Sequence, residues 1–413
     1  MQLTDQARGT CLVVFRALAI VLIVPMALSG CQSHDRASAG LPTTYEASTM
    51  LGLRWCEVVQ RTVDPVPGQE ISVTIPLDGQ DYRIDLKPDS VRAAGYRVLV
   101  QEADGSVTAR RGGPVRTLRG TVRGRPGCRV AGSVLSDGLH MVILLEDGRR
   151  CWMEPLPGGA PHTYAVYDQR HILSPGGVCR TPGADAADAV DEDDQDNEPS
   201  SAASPTSVFV AQIACDTDTE YVAAQGSVSA TEARINAIIN AINVQFESQA
   251  GIRHEITSIV IRRGSDPYTA SDAQDRLCQF IQEWTSNRTD VDRDVAHLFT
   301  GANLRGGTIG IAADIGGTGI CVTDGGCRGG QFGAFGSYCL AQSDFSSSFS
   351  CATDITAHEL GHLWGAVHCN CVTSTMNPGI TCSNRFSAGT VRSIIRYRDT
   401  RGCLERAAAD TGS

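Results

Sequence analysis

Residues 358–368 read His358-Glu359-Leu360-Gly361-His362-Leu363-Trp364-Gly365-Ala366-Val367-His368. On a helix, positions four apart share a face, so His358 and His362 can turn their imidazoles toward one metal ion. Glu359 stands beside them and can reach a water on that metal. Gly365 can take a backbone conformation closed to bulkier residues and end the helix in a sharp turn. That turn brings His368 back as a third ligand. Three imidazoles leave the fourth position open, the arrangement of a catalytic zinc site rather than a structural one. The short His-Glu-x-x-His pattern alone can arise by accident. The added glycine and third histidine make accident remote.

The extended pattern resembles the signature of the metzincin zinc metalloproteases. Ser374-Thr375-Met376-Asn377-Pro378 is similar to their Met-turn, which implies Met376 as an apolar floor under the metal and not a ligand. Within the metzincins the likeness is to the adamalysin/reprolysin group. It is carried by Asp294-Val-Ala-His-Leu-Phe-Thr-Gly301, Thr308-Ile-Gly-Ile-Ala-Ala313, Phe386-Ser387 and Cys403-Leu404, and spans residues 208–405. The resemblance implies a zinc endopeptidase acting on proteins or peptides. One Zn2+ would sit on His358, His362 and His368, with Glu359 as general base toward the zinc-bound water. Gly310, Ile311 and Ala312 would line the cleft on an edge strand, and Cys321 would pair with Cys403. Ca2+ is possible but thinly supported: Asp294 matches one ligand of the group's calcium site, with no convincing partner near Val208. Cys369 departs from the group's usual aspartate, which implies a rearranged, disulfide-held turn. Pairings among Cys369, Cys371 and Cys382 stay open. The rival function is a catalytically inactive surface adhesion or binding protein on the same fold; the presence of all three histidines and Glu359 weighs against it.

Around this segment the pattern is mixed α/β, giving an α/β (α+β) catalytic domain over 208–406 with a tail at 407–413. Ser229-Ala-Thr-Glu232 reads as a capping box before a helical stripe of Ile235, Ile238, Ile239, Ile242 and Phe246. Ser271–Gln274 repeats the signal before Leu277, Phe280, Ile281 and Trp284. Strands are expected at Ile256–Ile261, Val295–Phe299 and Thr308–Ala312, and a disulfide-held loop over 316–350.

Residues 51–180 read as a separate, mostly β domain. Ile71, Val73 and Ile75 alternate with polar neighbours, and the pairs Asp78-Gly79, Asp104-Gly105, Asp137-Gly138 and Asp147-Gly148 mark tight turns. Segments near Arg119-Gly120, Ser136–Leu139, Leu145–Gly148 and Met153–Leu156 resemble the reprolysin propeptide. That resemblance makes Cys179 a candidate inhibitory thiol, able to occupy the open zinc position. The other reading is a disulfide, since Cys56, Cys128, Cys151 and Cys179 could pair completely. His140, His162 and His171 are scattered and read as structural or surface residues. Residues 181–207 hold eight acidic and no basic side chains and read as an acidic disordered linker.

At the start, Arg8 and Arg16 precede an apolar run, Ala17–Leu28, too short for a comfortable membrane span. It ends in Leu28-Ser29-Gly30-Cys31, which resembles a bacterial lipobox. Residues 1–30 are then a lipoprotein signal peptide, Cys31 the lipidated residue, and 31–50 a polar tether. This implies a cell-envelope location, on the outer membrane if the host has one, with the catalytic domain released wherever the linker is cleaved. The sixteen cysteines agree with an oxidising compartment. The net charge of −11 comes mostly from the linker, and no basic field exists to attract nucleic acid.

Overall fold

The computed structural model describes residues 41–63, 66–185, 207–327 and 333–407. Cys31, the signal segment and most of the acidic linker lie outside the described residues. Helix α1 (Thr44–Leu51) leads into β1 (Glu57–Gln60), β2 (Ile71–Leu77), β3 (Gln80–Pro88), β4 (Arg92–Gln101) and β5 (Val107–Arg111). Then come β6 (Thr117–Val122), β7 (Arg125–Val134), β8 (Leu139–Leu144), β9 (Arg150–Pro155), β10 (Thr163–Asp168) and β11 (Val178–Cys179). The second half runs β12 (Phe209–Thr217), α2 (Thr219–Gln225), α3 (Val228–Ala250), β13 (Ile252–Arg262), α4 (Ala273–Asn287), β14 (Val295–Phe299) and β15 (Thr308–Ala312). It ends with β16 (Gly326–Cys327), β17 (Ala334–Phe335), β18 (Tyr338–Ala341), α5 (Phe349–Leu363), α6 (Ala388–Arg398) and β19 (Glu405–Arg406).

Eight N-terminal strands form one antiparallel sheet in the order β1-β10-β9-β8-β7-β6-β3-β2. The larger sheet runs β11-β15-β18-β14-β12-β13-β4-β5, with β19 beside β12. Its centre is parallel, β13 to β12 to β14 to β18, and β15 closes it antiparallel to β18. The residues expected as a separate domain are thus strand-rich, but β4 and β5 leave their own sheet and extend the other. From Leu41 onward the chain is one compact unit.

Helix α3 is the element that joins the halves. Ser227 caps it, its side chain accepting from Ala230 N. Ile235, Ile238, Ile239, Ile242 and Phe246 fall on one stripe and are fully buried in the main core. The opposite face is polar yet also buried, so its groups need partners. Asn240 donates to the carbonyls of Leu118 and Gly132 at 3.2 and 2.8 Å. Glu232 takes Arg92 at 2.9 Å.

Several expectations need correction. The cap of α3 is Ser227, two residues before the expected box, and α4 is capped by Asp272. Residues 44–50, read as tether, are helical because Thr43 and Glu46 form a complete capping box. The 316–350 loop contains β18, an interior strand; its four residues, Tyr-Cys-Leu-Ala, are too few to show a period amid glycine and serine. The linker does not begin at 181: Thr181 is buried and residues 181–185 pack at the site described next.

Candidate metal centre

Helix α5 carries His358, Glu359 and His362, all with no exposed surface. It ends at Leu363, and Gly365 takes a φ of +87° that reverses the chain. His368 then returns over the helix. The Nε2 atoms of His362 and His358 lie 3.1 Å apart, and those of His358 and His368 3.3 Å. Two nitrogens on one tetrahedral zinc, each about 2.0–2.1 Å from it, stand roughly 3.3–3.4 Å apart, so the spacing fits that ion.

The other ring nitrogens fix the tautomers. His358 Nδ1 donates to the carbonyl of Thr375 at 2.6 Å and His362 Nδ1 to that of Ala366 at 2.7 Å. His368 Nδ1 donates to the carboxylate of Asp185 at 2.7 Å. Each Nε2 therefore presents a lone pair inward, the outer-shell logic of metal-ligating histidines. Burial, then the neighbouring imidazoles, push His358 down to about 3 and His362 well below its ordinary value. Both stay neutral and able to ligate.

The fourth corner is Cys179. Its Sγ lies 3.4 Å from His362 Nε2. The four ligand atoms of Cys179, His358, His362 and His368 all lie within 4.8 Å of one another. Burial and the Glu359 carboxylate hold the thiol well above its usual range, a shift that a coordinated cation would reverse. Cys56, Cys128 and Cys151 are free as well, so the fully paired alternative does not form.

Cys179 belongs to a strap, residues 174–185, that fills the cleft. On one side β11 runs parallel to β15, with Cys179 opposite Gly310 and Arg180 N donating to Gly310 O at 3.2 Å. On the other, Ile380 N donates to Gly177 O and Cys179 N to Pro378 O, each at 3.3 Å. Thr181 Oγ1 accepts from Ala312 N at 2.8 Å and donates to Glu359 Oε2 at 3.3 Å. Thr181 and Asp185 carry no signal in the sequence, because only tertiary packing brings them here. Of the expected cleft residues, Gly310 and Ala312 meet the strap, while Ile311 points into a core beneath α4.

Burial drives Glu359 up to about 8, against the lowering effect of its bonds from Cys179 and Thr181. Its Oε1 is buried with no hydrogen-bond partner among the described residues. Met376 is buried under α5, its Sδ only 2.7 Å from where a Cβ on Gly361 would stand. Disulfides join Cys351 to Cys382, Cys369 to Cys371, Cys278 to Cys327 and Cys321 to Cys403. The expected calcium ligand, Asp294, accepts from Gln212 N at 2.7 Å. Its neighbours Cys321 and Cys403 are bonded to each other, and sulfur is no calcium ligand.

A buried cluster of three histidines with an adjacent carboxylate, opening on a sheet edge, is the chemistry of a metallopeptidase. Residues 209–401 match the model of metallo-peptidase family M12, of the reprolysin kind. The chain carries an M12-like metallopeptidase domain. Such a domain implies a zinc cofactor, and the donor set here fits it. No curated protein matches the sequence. Among solved structures, the chain is similar to metalloproteinase-II from Bacteroides fragilis, with 13% identity and a TM-score of 0.43 over 80% of this chain and 92% of that one. Among the described residues, no helix is long and apolar enough to cross a membrane.

Proposed function

We propose that the chain is a zinc-dependent endopeptidase of the metzincin type, adamalysin/reprolysin-like, held latent by its own strap. The observation that carries this is the convergence of three Nε2 lone pairs, 3.1 and 3.3 Å apart, next to the Glu359 carboxylate. His358, His362 and His368 would hold a zinc ion, which when bound would supply Lewis acidity toward the scissile carbonyl and a water nucleophile near neutral pH.

The remaining work falls to the protein. Glu359 takes the proton of the attacking water and returns it to the leaving nitrogen. The main chain of Gly310 and Ala312 holds the peptide extended, using the groups that now bind Arg180 and Thr181. Met376 supports the ligand helix from below. Cys179 closes the fourth position and Thr181 engages the base, so the strap must leave before substrate enters. Lipidation at Cys31 would place the enzyme on a bacterial envelope membrane, facing an oxidising compartment.

The test is metal content with hydrolysis. After removal of the strap, the protein binds one zinc, cleaves casein, and loses that activity to a chelator. Glu359→Gln keeps the zinc but lowers kcat by about 10²–10⁴-fold. A binding protein on a retired scaffold would show zinc without hydrolysis, and an unimpaired Glu359→Gln would refute the role given to that residue.

A further inference from the structure

We infer that residues 41–173 are a permanent structural subunit of the enzyme, staying on residues 207–407 after the intervening chain is cut, so that activation displaces only the strap. This rests on the peptidase reading for the word activation, but retention itself rests on the interface. The decisive contact is at the start of α5, the helix that carries the metal ligands. Its own Ser348 makes no side-chain capping bond. The cap comes instead from Glu154 on β9, whose carboxylate accepts from Phe349 N at 3.0 Å and Ser348 Oγ at 3.3 Å. Tyr167 on β10 donates to the same carboxylate and lies 2.9 Å from Ser348 Oγ. A carboxylate here satisfies orphan donors and complements the positive end of the helix dipole. Glu154 is 2% exposed, so no water replaces it in the assembled state.

Three further contacts act in the same direction. Phe349 packs its ring against Trp152 and His140, with centroids at 6.0 and 5.1 Å. Strand β4 pairs with β13 from Arg92 opposite Ile256 to Gln101 opposite Arg262, and its departure would bare an edge of the main sheet. Val91, Val98, Val100, Trp152 and Tyr167 belong to the same apolar core as Ile235 and Ile256. The strap contrasts with this. Ser174, Pro175, Gly176, Arg180, Pro182, Gly183 and Asp185 are exposed, and its main-chain bonds go to the cleft edges.

The experiment places one site-specific protease sequence at the exposed residues 174–176 and a second within residues 188–204 of the full chain, loads zinc, cuts both to completion so that the strap is excised, and applies gel filtration with light scattering. The two large pieces are expected to travel together at the mass of the uncut chain less the excised strap. Separation, whether both pieces stay soluble or one precipitates, overturns the inference. Retention and catalysis are read apart: co-elution without casein hydrolysis would refute the peptidase and leave the subunit. Hydrolysis by a freely eluting 207–413 piece would do the reverse. For the cap, Glu154→Ala is expected to lower the melting midpoint of the cut complex by about 2–4 °C, with Glu154→Gln between it and the parent. An unchanged midpoint in Glu154→Ala overturns the capping role.

Discussion

At Gly310 the edge strand passes so close to Glu359, the proposed base, that a side chain has nowhere to go. A Cβ built there would stand 2.1 Å from Glu359 Oε1 and 2.7 Å from its carboxyl carbon. Gly310→Ala must therefore displace the carboxylate or the strand. Displacements on the order of 1 Å in a catalytic group cost about 10²-fold. Gly310→Ala is expected to lose that much in kcat/KM while zinc content stays at one per chain. Wild-type turnover in this variant would show that Glu359 does not work from its place beside β15. The meeting of the three candidate ligands was legible in the sequence because their geometry is local: four residues of helix, one glycine turn, one return. Thr181, Asp185 and Glu154 were not, since each acts on the site across 178 or more residues of chain, and no spacing rule reaches that far.

The strap divides its grip between a thiol and a network of ordinary hydrogen bonds. Cys179 stands beside the histidine cluster, its Sγ 3.4 Å from His362 Nε2, while Thr181 bonds both Ala312 N and the Glu359 carboxylate. Each tenfold change in strap occupancy corresponds to about 1.4 kcal/mol. Cys179→Ala is expected to raise casein hydrolysis by the uncut chain about tenfold or more, yet leave it below that of the cut enzyme, and adding Thr181→Ala should narrow the gap. If the uncut Cys179→Ala chain is as silent as the parent, the thiol is not what enforces latency. Among the elements, α3 could be read from its helical stripe, and β14 and β15 as short strands. Strand β18 could not, although it sits between β14 and β15 and carries the cleft edge. An interior strand of four residues needs no alternation, and its identity comes from its two neighbours. The shifted caps of α3 and α4 have a similar cause: Ser227 and Ser229 both stand at the start of α3, Ser271 and Asp272 at that of α4, and tertiary packing selects between them.

Sequence divided the molecule at an acidic linker and saw two bodies, because composition reports where chain is solvated and not which surfaces meet. The fold instead buries a polar helix face between them. Asn240 gives its amide to carbonyls of β6 and β7, and Arg92 with Glu232 is nearly buried, at 13% and 7% side-chain exposure. Leaving such groups unpaired costs about 1–3 kcal/mol each, more for charged ones, so neither half opens cheaply by itself. Chains of this length often unfold in stages. A shared core with these obligations argues for one transition. The four tryptophans allow the comparison. Trp152 reports the N-terminal strands, and Trp364, bonded through Nε1 to His254 at 3.1 Å, reports the floor of the ligand helix. With the others replaced by phenylalanine, the two single-tryptophan chains are expected to give coincident denaturant midpoints in the zinc-loaded protein. An earlier transition at Trp152 alone would mean that the N-terminal strands fold and unfold as a body of their own, and that the surface around α3 is a contact between neighbours rather than one core.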